Sequence, residues 1–440
     1  MLDWHKATEI GVAFDTEQLA RARDYAARMQ STAVVIVQRG ETVAQWGEAE
    51  QPTDVASVRK SLLSALHGIA IAEGRLRLDD TLASLDIDEA ATPLTAEEKR
   101  ATVADLLTSR SGVYLPVDLE PSAVAAARPA RGSHPPGRFW HYNNWDFNAL
   151  GTIYEQATGT GVFDAFELRI ARPIGMLDFR VADCAYGEAK LSQHRHYGFR
   201  VSARDLARFG QLYLQRGAWN GRQIVPADWV AASVQPHARA HSPHFAGRGY
   251  GYMWWTGFES DFAPLVTLPD GSFYALGYGG QYLFVIPAHD LVIVHTNDFA
   301  RPGWRFLSDF EIGRLLWLIL SAAGIAGIGP DTSFATAPGA RLAGDELRAA
   351  LAGRTLRFAA AAPDGPYVMR LAIDGTASLA KGPQQQLALT GKWWIDGNRL
   401  CRGWDKDLPR FGSWPVLIDG ASVGLYEAND TMFLRAEMEE

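Results

Sequence analysis

At 440 residues the chain exceeds the usual single-domain range, so two domains are the starting expectation. Its 50 acidic and 42 basic side chains give a net charge of −8, which argues against nucleic acid or an anionic membrane as partner. The two cysteines, Cys184 and Cys401, are too few for a disulfide framework and are expected to be reduced.

The opening residues, Met1-Leu2-Asp3-Trp4-His5-Lys6, lack a basic segment followed by an apolar one. No secretory signal is read there, so a cytoplasmic location is expected, or a periplasmic one had a leader been removed. Alternation over 33–37 and 41–46 predicts a hairpin turning at Arg39-Gly40. Helix-patterned apolar residues from Leu62 to Ile71 predict a helix over 57–73. Further helices are expected over 103–107, 147–158 and 203–215. Strands are expected over 249–255, 273–276, 281–286 and 291–295. The apolar stretch 315–328 is too short and too glycine-broken to span a bilayer and reads as a buried terminal helix.

Pro, Gly, Ser and Thr cluster from Gly329-Pro330 to Pro338-Gly339, as in linkers. After a short helical piece at 345–351 the pattern turns to period two. Strands are expected at 355–358, 367–373, 386–389, 391–395, 399–404, 423–426 and 431–435. Asp374-Gly375, Asp396-Gly397-Asn398 and Asn429-Asp430 supply turns. The expected fold class is therefore α+β. Residues 1–328 form an antiparallel sheet flanked by helices plus an all-helical lobe, 329–342 a linker, and 343–440 a small antiparallel all-β domain, a meander or barrel.

Three segments carry chemistry. Ser57-Val58-Arg59-Lys60 heads the first long helix. Three residues make about one turn, roughly 4.5 Å of rise, so Ser57 and Lys60 share a face. A serine hydroxyl becomes a good nucleophile only when a neighbour takes its proton, and a desolvated lysine can do so. Tyr142-Asn143-Asn144 follows a Pro136-Gly137 turn and precedes a helix. Leu276-Gly277-Tyr278-Gly279-Gly280-Gln281 is a glycine-rich strand and turn, of the kind that marks close approach by a ligand or another backbone.

In order and spacing these three segments resemble the serine beta-lactamase and penicillin-binding-protein superfamily. The likeness is to its class C-related branch of esterases, D-amino-acid peptidases and 6-aminohexanoate-dimer hydrolases. It covers roughly residues 10–325. Thr102-Val103-Ala104-Asp105-Leu106-Leu107-Thr108-Ser109-Arg110-Ser111-Gly112 also looks like a family helix, with arginine where histidine is common. Asp374-Gly375-Thr376, Gly391-Lys392-Trp393-Trp394 and Leu400-Cys401 resemble a small lipocalin-like module. A lid, a dimer contact or a stabilising appendage is preferred over ligand binding for that module, which leaves a homodimer open.

The resemblance implies a metal-independent hydrolase that forms an acyl-enzyme on small esters or amides, with no cofactor. Ser57 would be the nucleophile, and Lys60 and Tyr142 its proton-handling partners, the base between them undecided. Asn144 would orient Lys60 or the substrate amide. The N–H groups of Ser57 and Gln281 would form the oxyanion hole, with Tyr278 and Gly280 lining the pocket. One departure stands out: beta-lactamases begin the third motif with lysine, and this chain has Tyr278, which carries no fixed positive charge. That favours neutral esters and amides over beta-lactams, unless Arg200 or Arg248 supplies the charge. A beta-lactamase or D,D-peptidase is the alternative, and a catalytically weak penicillin-recognising sensor is the alternative of another class.

Other signals are weaker. His237, His241 and His244 have a spacing that could suit a metal, but Pro236 and Pro243 interrupt any shared helical face, and no metal is expected. His194 and His196 are read first as surface residues and second as pocket residues. Trp140, Trp254 and Trp255 are read first as core residues and second as pocket walls.

Overall fold

The computed structural model describes residues 14–240, 248–256, 266, 268–307, 309–325, 339–358, 367–381, 386–404, 412–426 and 432–439. By contacts the chain divides into two compact units. The first is formed chiefly by Gln30–Gly257 and Pro269–Pro302, the second by Gly11–Met29 and Gly303–Glu440. Helices α1 (Thr16–Arg28) and α6 (Asp309–Ala322) both belong to the second unit and pack together there.

The first unit is built on an eight-stranded sheet. Its strands are β1 (Ala33–Gln38), β2 (Glu41–Gly47), β3 (Ala238–Arg239), β4 (Gly249–Tyr250), β5 (Trp255–Thr256), β6 (Phe273–Gly277), β7 (Gln281–Ile286) and β8 (Leu291–Thr296). Their order is β2-β1-β8-β7-β6-β5-β4-β3, and every pairing is antiparallel. The early hairpin thus joins the late strands, with Ala33 opposite Thr296 and Gln38 opposite Leu291. Every residue of β1, β7 and β8 is buried, so these central strands are covered on both faces.

Four helices matter for the site: α2 (Arg59–Ala72), α3 (Val103–Leu107), α4 (Asn144–Thr158) and α5 (Ala203–Leu214). Helix α5 lies on β1, β7 and β8, while α2 packs on α4 in the helical lobe. Helix α2 is buried from Arg59 to Ala70. Two of its polar side chains are placed by carbonyls: Ser61 Oγ donates to the Met253 carbonyl at 2.7 Å, and His67 Nδ1 lies 3.1 Å from the Leu63 carbonyl. The expected strand at 249–255 is instead two short strands, because Met253 takes φ +60 between them and breaks the extended run.

In the second unit, eight antiparallel strands close into a barrel. They are β9 (Thr355–Phe358), β10 (Tyr367–Leu371), β11 (Thr376–Lys381), β12 (Gln386–Asp396), β13 (Arg399–Trp404), β14 (Gly412–Asp419), β15 (Ser422–Tyr426) and β16 (Met432–Glu439). Closure is made by β9 on β16, with Thr355 opposite Glu439. Leu356, Met369, Leu371, Trp393, Leu400, Val416 and Leu425 fill the core, joined by Leu347 and Leu351 of α7 (Gly344–Leu351). Two strands, β11 and β14, were not expected. Strand β14 contains Pro415, a residue that argues against a strand when read in sequence, and β11 has few β-branched side chains. Leu400→Ala should cost the barrel about 2–5 kcal/mol. Hydrogen exchange in peptides from 355–439 should speed accordingly, and unchanged protection would refute that core assignment.

Candidate active site

The segment leading into α2 is held in an unusual shape. Asp54 Oδ1 accepts the Ala56 N–H at 2.7 Å, and the Val55 N–H donates to Phe199 O at 3.1 Å. Ala56 then takes φ +47, a left-handed conformation costly for a residue with a Cβ. Ser57 sits in a single 3₁₀ turn, Ala56–Val58, two residues before the start of the α-helix in which its motif was expected to begin. Its N–H meets no acceptor among the described residues.

Lys60 lies in the first turn of α2 and is only 2% exposed. Its Nζ is 2.6 Å from Ser57 Oγ and 2.8 Å from Tyr142 OH, and it lies 4.6 Å and 4.7 Å from the ring centres of Tyr142 and Phe147. Burial holds the amine well below its ordinary pKa; the neighbouring Arg59 charge adds to this, and Glu120 opposes it. Burial pushes the Tyr142 phenol up to about 12, against the opposing effects of its bond to Ser57 and the Arg59 charge. The same burial therefore moves the two groups in opposite senses, weakening the hold of the lysine on its proton and strengthening that of the tyrosine. Arg59 is held by a 3.0 Å bond to Asn148 Oδ1 and by its guanidinium, 4.0 Å over the Tyr197 ring.

Tyr142 is placed by the Ser109–Gly112 segment. Ser109 Oγ donates to His141 O at 2.5 Å and accepts the Asn143 N–H at 3.0 Å. Asn143 Nδ2 bonds Val113 O at 2.7 Å and Asp146 Oδ1 at 2.8 Å, and Ser111 Oγ reaches the same Asp146 oxygen at 2.5 Å. Asp146 is fully buried, and that burial raises its pKa well above the ordinary carboxyl value. Asn144, the first residue of α4, is buried beside the Glu120 carboxylate, which Arg128 also bonds. Burial raises the Glu120 pKa, opposed by Arg128, Asn144 and the more weakly acting Lys60.

The third motif lies against the first. A Cβ on Gly277 would stand 2.4 Å from Val55 O, so only glycine lets β6 come this close to the Ser57 segment. Strand β5 pairs with β6 only at Phe273 and Tyr274, which leaves 275–277 as an open edge facing that segment. Tyr278 is 46% exposed and meets Phe299 edge-on, with ring centres 6.4 Å apart. The side chain of Gln281 is fully buried and bonds Asn297 rather than entering a pocket, and Gly280 O receives His295 Nδ1 at 2.6 Å.

The structure thus brings Ser57, Lys60 and Tyr142 into direct contact, with Asn144 and the Gly277–Gln281 turn alongside. Trp255 stacks on Tyr142 at 5.7 Å and Trp140 stands edge-on to Trp255, whereas Trp254 packs with Phe209, Tyr213 and Phe273. Arg248 lies 6.0 Å over Trp255, and Arg200 bonds Pro52 O. The expectation that His194 and His196 are surface residues fails. His194 is 2% exposed and within bonding distance of Thr152 and Asp88 O. His196 is half-buried; burial and the Arg59 and Lys60 charges hold it well below its ordinary pKa. His237 stacks on Tyr252 and lies 2.8 Å from Ala232 O, while His241 and His244 lie outside the described residues. No metal-binding group of His, Cys, Asp and Glu occurs among the described residues, and no helix there is long and apolar enough to cross a membrane.

The family described as Beta-lactamase matches residues 16–306. The chain belongs to that family. The superfamily expectation drawn from Ser57, Tyr142 and the glycine-rich turn therefore holds, and so does the α+β fold with its closed C-terminal barrel. An uncharacterised protein of Alkalihalophilus pseudofirmus is 27% identical over 279 residues, covering 58% of this chain and 76% of the relative. The 6-aminohexanoate-dimer hydrolase of Paenarthrobacter ureafaciens is 24% identical over 338 residues, covering 67% and 80%. The octameric penicillin-binding protein homologue from Pyrococcus abyssi shares the fold at a TM-score of 0.52 and 16% identity, over 96% of this chain and 99% of its own.

Four residues that contact these motifs were given no role in sequence: Arg59, Glu120, His295 and Asn297. Arg59 stood inside the first motif, where its charge beside Lys60 could have drawn notice. Glu120 carried no local signal. A stability test follows from the buried amine. Folding strips a proton from Lys60 at every pH between its depressed folded value and the ordinary 10.5, so in that window the parent gains stability as pH rises. Lys60→Met should be more stable than the parent at pH 7, by about 1–4 kcal/mol. The gap should narrow toward pH 10, as paired urea melts would show. A gap that widens with pH would mean the amine stays charged in the fold.

Proposed function

We propose that this chain is a serine hydrolase that acts without a metal, through an acyl-enzyme, on small esters or amides. The observation that carries this is the desolvated Lys60 amine, 2.6 Å from Ser57 Oγ and 2.8 Å from Tyr142 OH. Neutral Lys60 takes the Ser57 proton as Oγ bonds to the substrate carbonyl carbon. The developing oxyanion is met by the Ser57 N–H and an amide of the Gly277–Gln281 turn, Gln281 being the donor implied by the superfamily. When the carbonyl re-forms, the leaving group takes a proton from the Tyr142 hydroxyl, which Lys60 replenishes. Water then attacks the acyl-enzyme with the same groups in reverse, restoring Ser57. Asn144 orients Lys60 or the substrate amide. The 6-aminohexanoate-dimer hydrolase relative supports amide substrates of this size.

A beta-lactamase or D,D-peptidase is the second reading, favoured by the family itself. Against it stands Tyr278, exposed where a lysine would meet a beta-lactam carboxylate. A sensor without turnover would have little use for a desolvated amine in contact with its serine hydroxyl.

Ser57→Ala should abolish hydrolysis of p-nitrophenyl esters, with a folding cost of about 0.5–2 kcal/mol at most. A fluorophosphonate should add once to the parent, on the peptide carrying Ser57. An adduct on another serine, or none, would sink the assignment. Turnover should survive prolonged chelation.

The missing cation makes a second prediction. A charge-assisted hydrogen bond is worth about 1.5–3 kcal/mol, so its loss costs roughly 10–150-fold. The kcat/KM for nitrocefin should lie well below that for a p-nitrophenyl ester, and Tyr278→Lys should narrow the gap. A ratio above one in the parent would favour the beta-lactamase reading, with Arg248 as the cation to test next.

A further inference from the structure

The turn at Tyr278-Gly279-Gly280 is held from behind by side chains rather than by the sheet. Pairing of β7 with β8 ends at Tyr282 opposite His295, so residues 279–281 have no ladder partner on β8. Side chains from the end of β8 take over. His295 Nδ1 lies 2.6 Å from Gly280 O, and Asn297 Nδ2 donates to Gly279 O at 2.6 Å. A carbonyl can only accept, so Nδ1 carries the hydrogen, and the other ring nitrogen faces Ser31 Oγ at 2.7 Å. The main chain of Asn297 meets both ends of the Gln281 amide: its N–H donates to Oε1 at 3.1 Å, and its carbonyl accepts from Nε2 at 2.5 Å. His295, Asn297 and Gln281 are each at most 3% exposed.

Two consecutive carbonyls are thereby pulled toward β8. In a trans peptide the N–H points opposite its carbonyl, so fixing the Gly280 carbonyl also fixes the Gln281 N–H. Gln281 stands opposite Gly277 of β6, the residue that abuts the Ser57 segment, so an N–H turned away from β8 lies on that side of the turn. A hydrogen bond on the carbonyl also polarises the amide and strengthens the donor at its far end.

We propose that His295 and Asn297 are positioning residues for acyl transfer: by gripping the Gly280 and Gly279 carbonyls they aim the amide edge of the turn at the acyl oxygen on Ser57. This rests on the serine-hydrolase reading above. Neither side chain touches the substrate; both act through the turn.

The test compares the parent with His295→Leu, His295→Asn, Asn297→Asp and Ser31→Ala. Leucine removes the donor at similar size, whereas asparagine keeps an N–H near the place of Nδ1. Aspartate at 297 keeps the shape but can only accept. A misplacement near 1 Å costs on the order of 10²-fold, so kcat for a p-nitrophenyl ester should fall roughly 10–100-fold in His295→Leu and Asn297→Asp. KM should stay within about 3-fold, since the loss falls on the transition state. The inhibition constant of phenylboronic acid, which forms a tetrahedral adduct on the serine, should rise by the factor that kcat/KM falls. His295→Asn should recover most of the activity. Unchanged kcat in the soluble Leu and Asp variants would overturn the proposal, as would a loss confined to KM or an unmoved boronate constant. If His295→Leu does not fold, Ser31→Ala and Asn297→Asp decide by the same criteria. Fluorophosphonate labelling separates the two levels: a labelled parent with indifferent variants refutes only the positioning role, and a parent unlabelled at Ser57 refutes both.

Discussion

Taking the Lys60 amine out of water would cost several kcal/mol if it kept its proton, and the lobe around it favours the neutral form. Aromatic faces from Tyr142 and Phe147 close over it, and the positive charge of Arg59, one residue away, acts in the same sense. The same burial acts in the opposite sense on the Tyr142 phenol, which is kept protonated. One dry environment thus separates two groups that ordinarily titrate close together, one toward a base and the other toward an acid.

Such a site depends on backbone more than on side-chain chemistry. Three chain segments distant in sequence must meet within hydrogen-bond reach, and each is pinned by buried polar contacts rather than by apolar packing alone. Asp54 and the left-handed Ala56 turn Ser57 out of the coming helix. Ser109, Ser111 and Asp146 seat the Tyr142 loop. Ser31, His295 and Asn297 back the glycine turn. Polar groups at these positions cost more to bury than aliphatic ones, but they fix direction, which packing does not.

Much of this was legible in the sequence because motif residues lie close together along the chain. Ser57 and Lys60 are one helical turn apart, so local spacing alone predicts their contact. Period-two alternation likewise marked most barrel strands. What sequence concealed were partners joined only by the fold. Glu120 reaches the site from a loop between motifs, and His295 sits in a strand whose other residues look like plain core. Proline hid β14, since Pro415 breaks the sequence pattern of a strand while its register opposite Arg399 is tolerated in the barrel. The 3₁₀ turn at Ser57 was hidden for a related reason: Ala56 gives no compositional hint of a positive φ.

The way both sheets close has a bearing on when this protein can fold during synthesis. In the barrel, Thr355 pairs with Glu439, so the ring cannot be sealed until the last of its staves has left the ribosome. In the first unit, the hairpin that emerges early waits for β8, because Ala33 pairs with Thr296. Contacts this distant are slow to form. During that interval β1, a six-residue run of Ala, Val, Ile and Gln, is a nascent strand with one edge unpaired. The order of translation thus leaves an apolar strand edge waiting for a partner that is made roughly 250 residues later.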